Sequence, residues 1–446
     1  MKAGRVAPAE LQELRRRPVN PGSSCSIGPV VSDQEISMRM IFLAPLLAAI
    51  PGAALAEPLT FDAAIERAMR DAPSILAGEA GVEAKRSASI AAGQLPDPTL
   101  NVGIDNFPVS GPPAFSFRQD SMTMGRIGVE QPFPNPAKRN AQRTRAQADI
   151  GVAEGDLAVE TQNVRLETAL AWIDLYYAKR RLAQLDRLIA SLDDLQATVS
   201  ARLASGSARP SQALEPAQLR AAVNDRRSEL VAEVARAKAR LAQFTGDRQA
   251  DVAGDPPVLT VGRASLVAGL PSLPRLLTLD AGIRGAEADT GLARADKRPD
   301  WRVSASYGRR DPAYGDMVSV GVSIDLPIFA GKRQNPKIAA SLSGETQARL
   351  TRISEERELL ANLDGDLADH EMDMQRLDNA RKVLVPLAKQ RAELDMASYA
   401  AGKLDLGSAL LSTLALAEAE IDALSREADV ARDAVRINYT YGGVRP

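Results

Sequence analysis

From Val318 to Leu326 apolar and small or polar residues alternate without a miss. Val318, Val320, Val322, Ile324 and Leu326 fall on one side, and Ser319, Gly321, Ser323 and Asp325 on the other. Trp301, Val303, Ala305 and Tyr307 alternate in the same way with Arg302, Ser304, Ser306 and Gly308. A period of two puts each set on its own face of a strand. A different period governs the chain beyond each strand pair. Leu182, Leu185, Ile189, Leu192, Leu195, Val199 and Leu203 recur at a mean spacing of 3.5, the seam of a coiled coil. From about Ala137 to Leu203 there is no Pro and little Gly, and a helix of that length would reach roughly 100 Å. Pro386 predicts a kink in a second long helix.

The plan occurs twice. LPDPTLNVGID at 95–105 answers KRPDWRVSASY at 297–307, each a Pro-Asp ahead of a strand. RIGVEQPFPNPAKR at 126–139 answers VGVSIDLPIFAGKR at 320–333, a strand, a Pro-rich corner and a basic pair. RLASGSARPSQAL at 202–214 answers SYAAGKLDLGSAL at 398–410. Each half should therefore run helix, strand, strand, long helix, turn, long helix. The expected division is a leader and signal over 1–56, a first repeat over 57–246, a linker over 247–271 and a second repeat over 272–446.

The leader changes the picture. From Met38 the chain reads MRMIFLAPLLAAIPGAALA, with one basic residue, an apolar core and a small-residue end. That is the pattern of a secretory signal cleaved after Ala56, and residues 1–37 read as an over-called start or a disordered leader. No later stretch of about 20 apolar residues is apparent, so a return to a membrane would have to be made as β-strands. The strands are near the length that a tilted membrane strand needs. Phe107, Phe115, Phe117, Phe133, Trp301, Tyr307, Tyr314 and Phe329 crowd around them, as interface girdles do.

Composition narrows the chemistry. One His and one Cys in 446 residues leave no material for a His- or Cys-based metal site or a catalytic triad. A formal charge of −2 makes no case for nucleic acid. No nucleophile–base pair or phosphate loop stands out, so an enzyme is not expected, and no cofactor is implied.

Four membrane-length strands cannot close a barrel, and open edges are not tolerated in lipid. Three copies would supply twelve strands, within the range of even-stranded barrels. The expected fold is therefore mainly α with a small β part. Long coiled-coil helices build an α-helical barrel below a twelve-stranded transmembrane β-barrel, in a homotrimer. Pro132, Pro134 and Pro136 would end the first strand pair and start the helix, with Pro327 and Gly331 doing the same in the second half.

At these residues the sequence resembles the TolC-type outer-membrane efflux proteins, from Leu59 to Gly443. The resemblance rests on LTFDAAIERAM, LPDP, KRPDWRVSASYG and IDLPIFAGKR together. It implies a trimeric duct in the outer membrane, continued through the periplasm, with a periplasmic membrane-fusion adaptor and an inner-membrane RND pump as partners. The stretch from LPDPTLNVGID to PNPAKR looks most like the heavy-metal cation branch. In the family a Gly-centred motif at the helix–helix turns meets the adaptor. Here the matching positions are Ser205, Gly206 and Ser207, and Ala401, Gly402 and Lys403, which depart from the family's better-known forms. The other reading of those glycines is a helix C-cap.

Asp364, Asp366, Asp369, His370, Glu371 and Asp373 form an acidic run on the second long helix. It could draw cations along a duct, or simply be a solvated helix face. A duct for drugs or other small molecules, and a periplasmic coiled-coil scaffold that is no channel, are the alternative functions. Lipid-length alternating strands have no place in the scaffold.

Overall fold

The computed structural model describes residues 58–204 and 210–442. The turn at Ser205, Gly206 and Ser207 and the signal segment before residue 58 lie outside the described residues.

Two helices open the described chain, α1 (Phe61–Asp71) and α2 (Pro73–Ala91). The Thr60 hydroxyl caps α1 by accepting from the Ala63 amide, and Pro73 begins α2 at a position that needs no N–H. Strands β1 (Thr99–Asp105) and β2 (Met124–Phe133) follow, then α3 (Pro136–Ala204) and α4 (Glu215–Thr245). The order recurs in α6 (Pro274–Ala295), β3 (Trp301–Arg309), β4 (Met317–Ile324), α7 (Gln334–Asn379), α8 (Val385–Ala400) and α9 (Leu406–Tyr441). Between the two runs, residues 247–271 include the short helix α5 (Arg263–Gly269).

The 69-residue α3 matches the expected rod. Its seam is wider than a two-helix pattern requires. Leu185, Leu188, Leu192 and Val199 are buried against Val223 and Leu230 of α4 and also against Leu406, Leu410 and Ala417 of α9. One helix that serves two neighbours needs a broad apolar stripe, which is why Leu188 joins the spaced residues.

Ahead of Pro386 the helix is irregular. The helix opens into one π turn over Ala380–Leu384, where the Val385 amide donates to the Ala380 carbonyl. The wider turn accommodates the proline, which has no amide of its own to donate.

Two expectations need correction. Arg263–Ala295 does have the length and hydropathy of a membrane-crossing helix, contrary to the reading that no such stretch exists. It is, however, broken into α5 and α6 by the 3₁₀ turn Leu270–Ser272, and α6 lies along α3 and α7. The two strand-to-helix corners are also not alike. Pro134 and Asn135 alone separate β2 from α3, whereas Asp325–Arg333 separate β4 from α7.

Candidate functional site

The strands form one antiparallel sheet in the order β1-β2-β3-β4, so β1 and β4 are its free edges. Register decides what its faces carry. Leu100, Val129, Ala305 and Val320 lie in one cross-strand row, and Val102, Ile127, Tyr307 and Val318 in the next. Toward the helices, Val303 faces Val322, and Phe133, Trp301 and Ile324 form the last row. Paired residues of an antiparallel sheet share a face. One face is therefore apolar across all four strands, while the other carries Asn101, Arg126, Glu130, Ser304, Ser306, Ser319 and Ser323.

That apolar face is bare. Val102, Val318 and Val320 are 73–74% exposed. An ordinary half-buried sheet would hide these residues, so they mark a surface made for an apolar environment. Aromatic side chains bracket the face. Phe133 pairs with Trp301 at the helix end. Toward the other end Tyr307 lies beside Ile127 and Val318, and in the loop after β1 Phe107 packs on Phe117 with ring centroids 4.7 Å apart. Gln131 is the polar exception in the apolar rows, and its Nε2 donates to the Pro96 carbonyl at 2.8 Å.

The polar face is the crowded one. A Cβ at Gly128 would stand 2.8 Å from the Ser306 Cβ, and one at Gly308 would collide with the Met124 side chain. Small residues let the strands approach on this side, which suits a sheet curled with its polar face inward.

The junction of sheet and helix is held by a compact polar cluster. Asn135, 5% exposed, caps α3 by accepting from the Lys138 amide at 2.9 Å. Its own amide and Nδ2 donate to the Asp300 carboxylate at 2.8 and 2.9 Å. Lys138 Nζ lies 3.2 Å from both Asp296 and Asp300. Burial alone would push the Asp300 carboxyl up, but the Asn135 amide and the Lys138 ammonium outweigh it and hold it below the usual range. The Pro-Asp before β3 and the basic residue after β2, far apart in the sequence, thus touch.

The acidic run of α7 is divided among several surroundings. Asp364 pairs with Arg263 at 2.8 Å, and Asp366 accepts from the Tyr441 hydroxyl at 2.8 Å. Asp369 is exposed. His370, by contrast, is buried in the seam between α7 and its neighbours, and its Nδ1 has no partner among the described residues. Burial depresses its pKa against the pull of Glu371 and Asp373. Across the seam, Asp433 of α9 lies within hydrogen-bonding reach of Asp373. Among the described residues no three His, Cys, Asp or Glu side chains are placed to hold a metal ion.

Of the two helical turns, the second is described. Gly402 has φ +73° and its amide donates to the Tyr399 carbonyl, while the Lys403 amide donates to the Ser398 carbonyl at 2.8 Å. These are the two bonds of a Schellman cap, and glycine takes the left-handed position without penalty. Asp405 then caps α9 by accepting from the Ser408 amide at 2.9 Å. Ala401, Gly402 and Lys403 are exposed, and nothing lies within 4 Å of a Cβ built on Gly402.

No family model and no curated relative matches the sequence. Solved structures do match. The outer-membrane channel OprN is 17% identical, with a TM-score of 0.71 over 86% of this chain and 90% of its own. The outer-membrane protein VceC of Vibrio cholerae is 16% identical, with a TM-score of 0.69 over 86% and 96%. CusC, described as forming a transmembrane channel, is 13% identical, with a TM-score of 0.70 over 87% and 94%. At such identities the likeness is one of fold: this chain has the fold of outer-membrane channel proteins along nearly its whole described length.

Proposed function

We propose that the chain is one subunit of a TolC-type outer-membrane efflux duct. Three copies close their sheets into a twelve-stranded barrel in the outer membrane, and their long helices continue the tube into the periplasm. The observation that carries this reading is the bare apolar face across four strands, set beside two open sheet edges. Lipid satisfies the face and neighbouring copies satisfy the edges. A periplasmic scaffold accounts for neither.

The duct performs no chemistry; it gives a path, and its direction comes from an RND pump and an adaptor docked on its periplasmic end. Lys403 and the backbone around Gly402 offer that adaptor an exposed surface; the matching positions Ser205, Gly206 and Ser207 are proposed for the same contact from the sequence alone. Asp366 and Asp369 contribute negative potential to the wall, while Arg263 offsets the charge of Asp364. Cargo is a heavy-metal cation, on the resemblance of residues 95–139 to the metal-exporting branch. A duct for other small molecules shares the same geometry, and loss of metal resistance rather than drug resistance in a deletion strain separates the two.

The test is assembly. Extracted from outer membranes in mild detergent, the mature protein should have the mass of a trimer. A folded monomer in the soluble periplasm overturns the reading.

A further inference from the structure

The polar cluster at Asn135 has an unfilled counterpart. Inside the chain, Asp300 stands at the start of β3 and serves both flanking strands. Its main-chain carbonyl accepts from the Asp325 amide after β4, and its carboxylate accepts from Asn135 and Lys138 after β2. Asp97 occupies the equivalent place ahead of β1. The main chain beside it is likewise held by its hairpin partner, through the bond from Gln131 to the Pro96 carbonyl. Its carboxylate, however, is exposed and meets no cation among the described residues.

The opposite edge of the sheet shows the complementary vacancy. After β4, Lys332 and Arg333 answer Lys138 and Arg139 in the repeat. Both are exposed, and neither meets a carboxylate among the described residues. Lys138 has two. The acid lies at the β1 edge and the bases at the β4 edge, both at the helix end of the sheet. Only a neighbour that sets its β1 beside this β4 can bring them together, as β3 is set beside β2.

The geometry points to an ion-pair lock between copies of the chain, in which Asp97 of one copy binds the Lys332–Arg333 corner of the next. It repeats across the subunit boundary the junction that Asp300 makes within the chain. Each free edge is thereby keyed to the other, so closure joins β4 to β1 and disfavours like-edge pairing. The longer corner Asp325–Arg333 gives the basic pair the reach that an interface requires. This inference rests on the trimeric reading above.

The test is charge reversal, with the native trimer in detergent at low ionic strength followed by native mass spectrometry across a dilution series. Asp97→Arg should move the trimer–monomer equilibrium at least tenfold toward monomer. Lys332→Asp with Arg333→Asp should do the same. Combining all three should recover the wild-type trimer, and a misfolded Asp97→Arg chain would not be rescued in this way. Asp97→Arg trimers as resistant to dilution as wild type overturn the lock, as does failure of the triple variant to recover. A wild-type protein that is monomeric throughout would instead refute the trimeric duct itself.

Discussion

Trp172 Nε1, at the centre of α3, donates to the main-chain carbonyl of Leu59 at 2.9 Å. The indole is fully buried and stands edge-on to Phe61, with ring centroids 5.5 Å apart. The start of the described chain is thereby fastened to the middle of a 69-residue helix. The same carbonyl also accepts from the Ala253 amide, so three distant segments meet there.

Trp172→Phe should therefore cost about 1 kcal/mol, because the carbonyl loses one of two donors while the core stays filled. Trp172→Ala should cost about 3–5 kcal/mol through the cavity it leaves. Thermal unfolding followed by helical circular dichroism checks both, and a Trp172→Phe variant as stable as wild type would deny the indole N–H any separate part.

Face assignment on β4 makes a second prediction. Val322 lies beside Val303 on the apolar face, whereas Ser323 lies beside Arg302 on the polar one. Val322→Arg should hinder membrane assembly by roughly 2–4 kcal/mol if it sits at mid-depth in lipid. Ser323→Arg should assemble nearly normally. Folding yields in lipid vesicles read the difference, and the reverse order would turn the sheet inside out.

The turn at Gly402 calls for a more careful substitution than a bulky one. Its φ of +73° means that Gly402→Trp strains the cap as well as blocking any partner. Gly402→Asn tolerates that backbone and should preserve trimer level and resistance. Lys403→Glu leaves the cap intact and should lower metal resistance without lowering the outer-membrane amount. Resistance and protein amount measured in the same cells decide it; full resistance in Lys403→Glu removes this residue from the docking surface.

Asp433 supplies a pH dependence. Burial raises its carboxyl to about 6, opposed by Arg436 and reinforced by Asp373 and Asp429. A carboxyl raised on folding holds its proton more tightly in the folded state. Its contribution is full below the ordinary value of 3.8 and is lost as pH rises through about 6. His370, depressed by burial, acts in the opposite sense and loses its contribution as pH falls below its ordinary 6.5. Asp433→Asn should thus raise the melting temperature at about pH 7 and leave it unchanged near pH 4. A constant difference between variant and wild type across that range would show that the carboxyl does not titrate there.

Much of the architecture follows from local periodicity. The alternation in β3 and β4, the 3.5-residue spacing in α3 and the prolines between strand and helix each express a rule that acts within a few residues of chain. The rod, the strand faces and the turn at Gly402 were legible for that reason, whereas the π turn before Pro386 was not. Tertiary structure decided what depends on partners far away in sequence. Register aligned four separate alternations into one bare apolar face, and it brought Asp300 to Asn135 across 165 residues. The two strand-to-helix corners look alike as strings, yet only the first has a neighbouring strand in its own chain to close on. His370 reads as one polar residue in an acidic face, but its burial depends on how α7 packs. Periodicity specifies which side of an element is apolar; which neighbour that side meets is set by the packing of the whole chain.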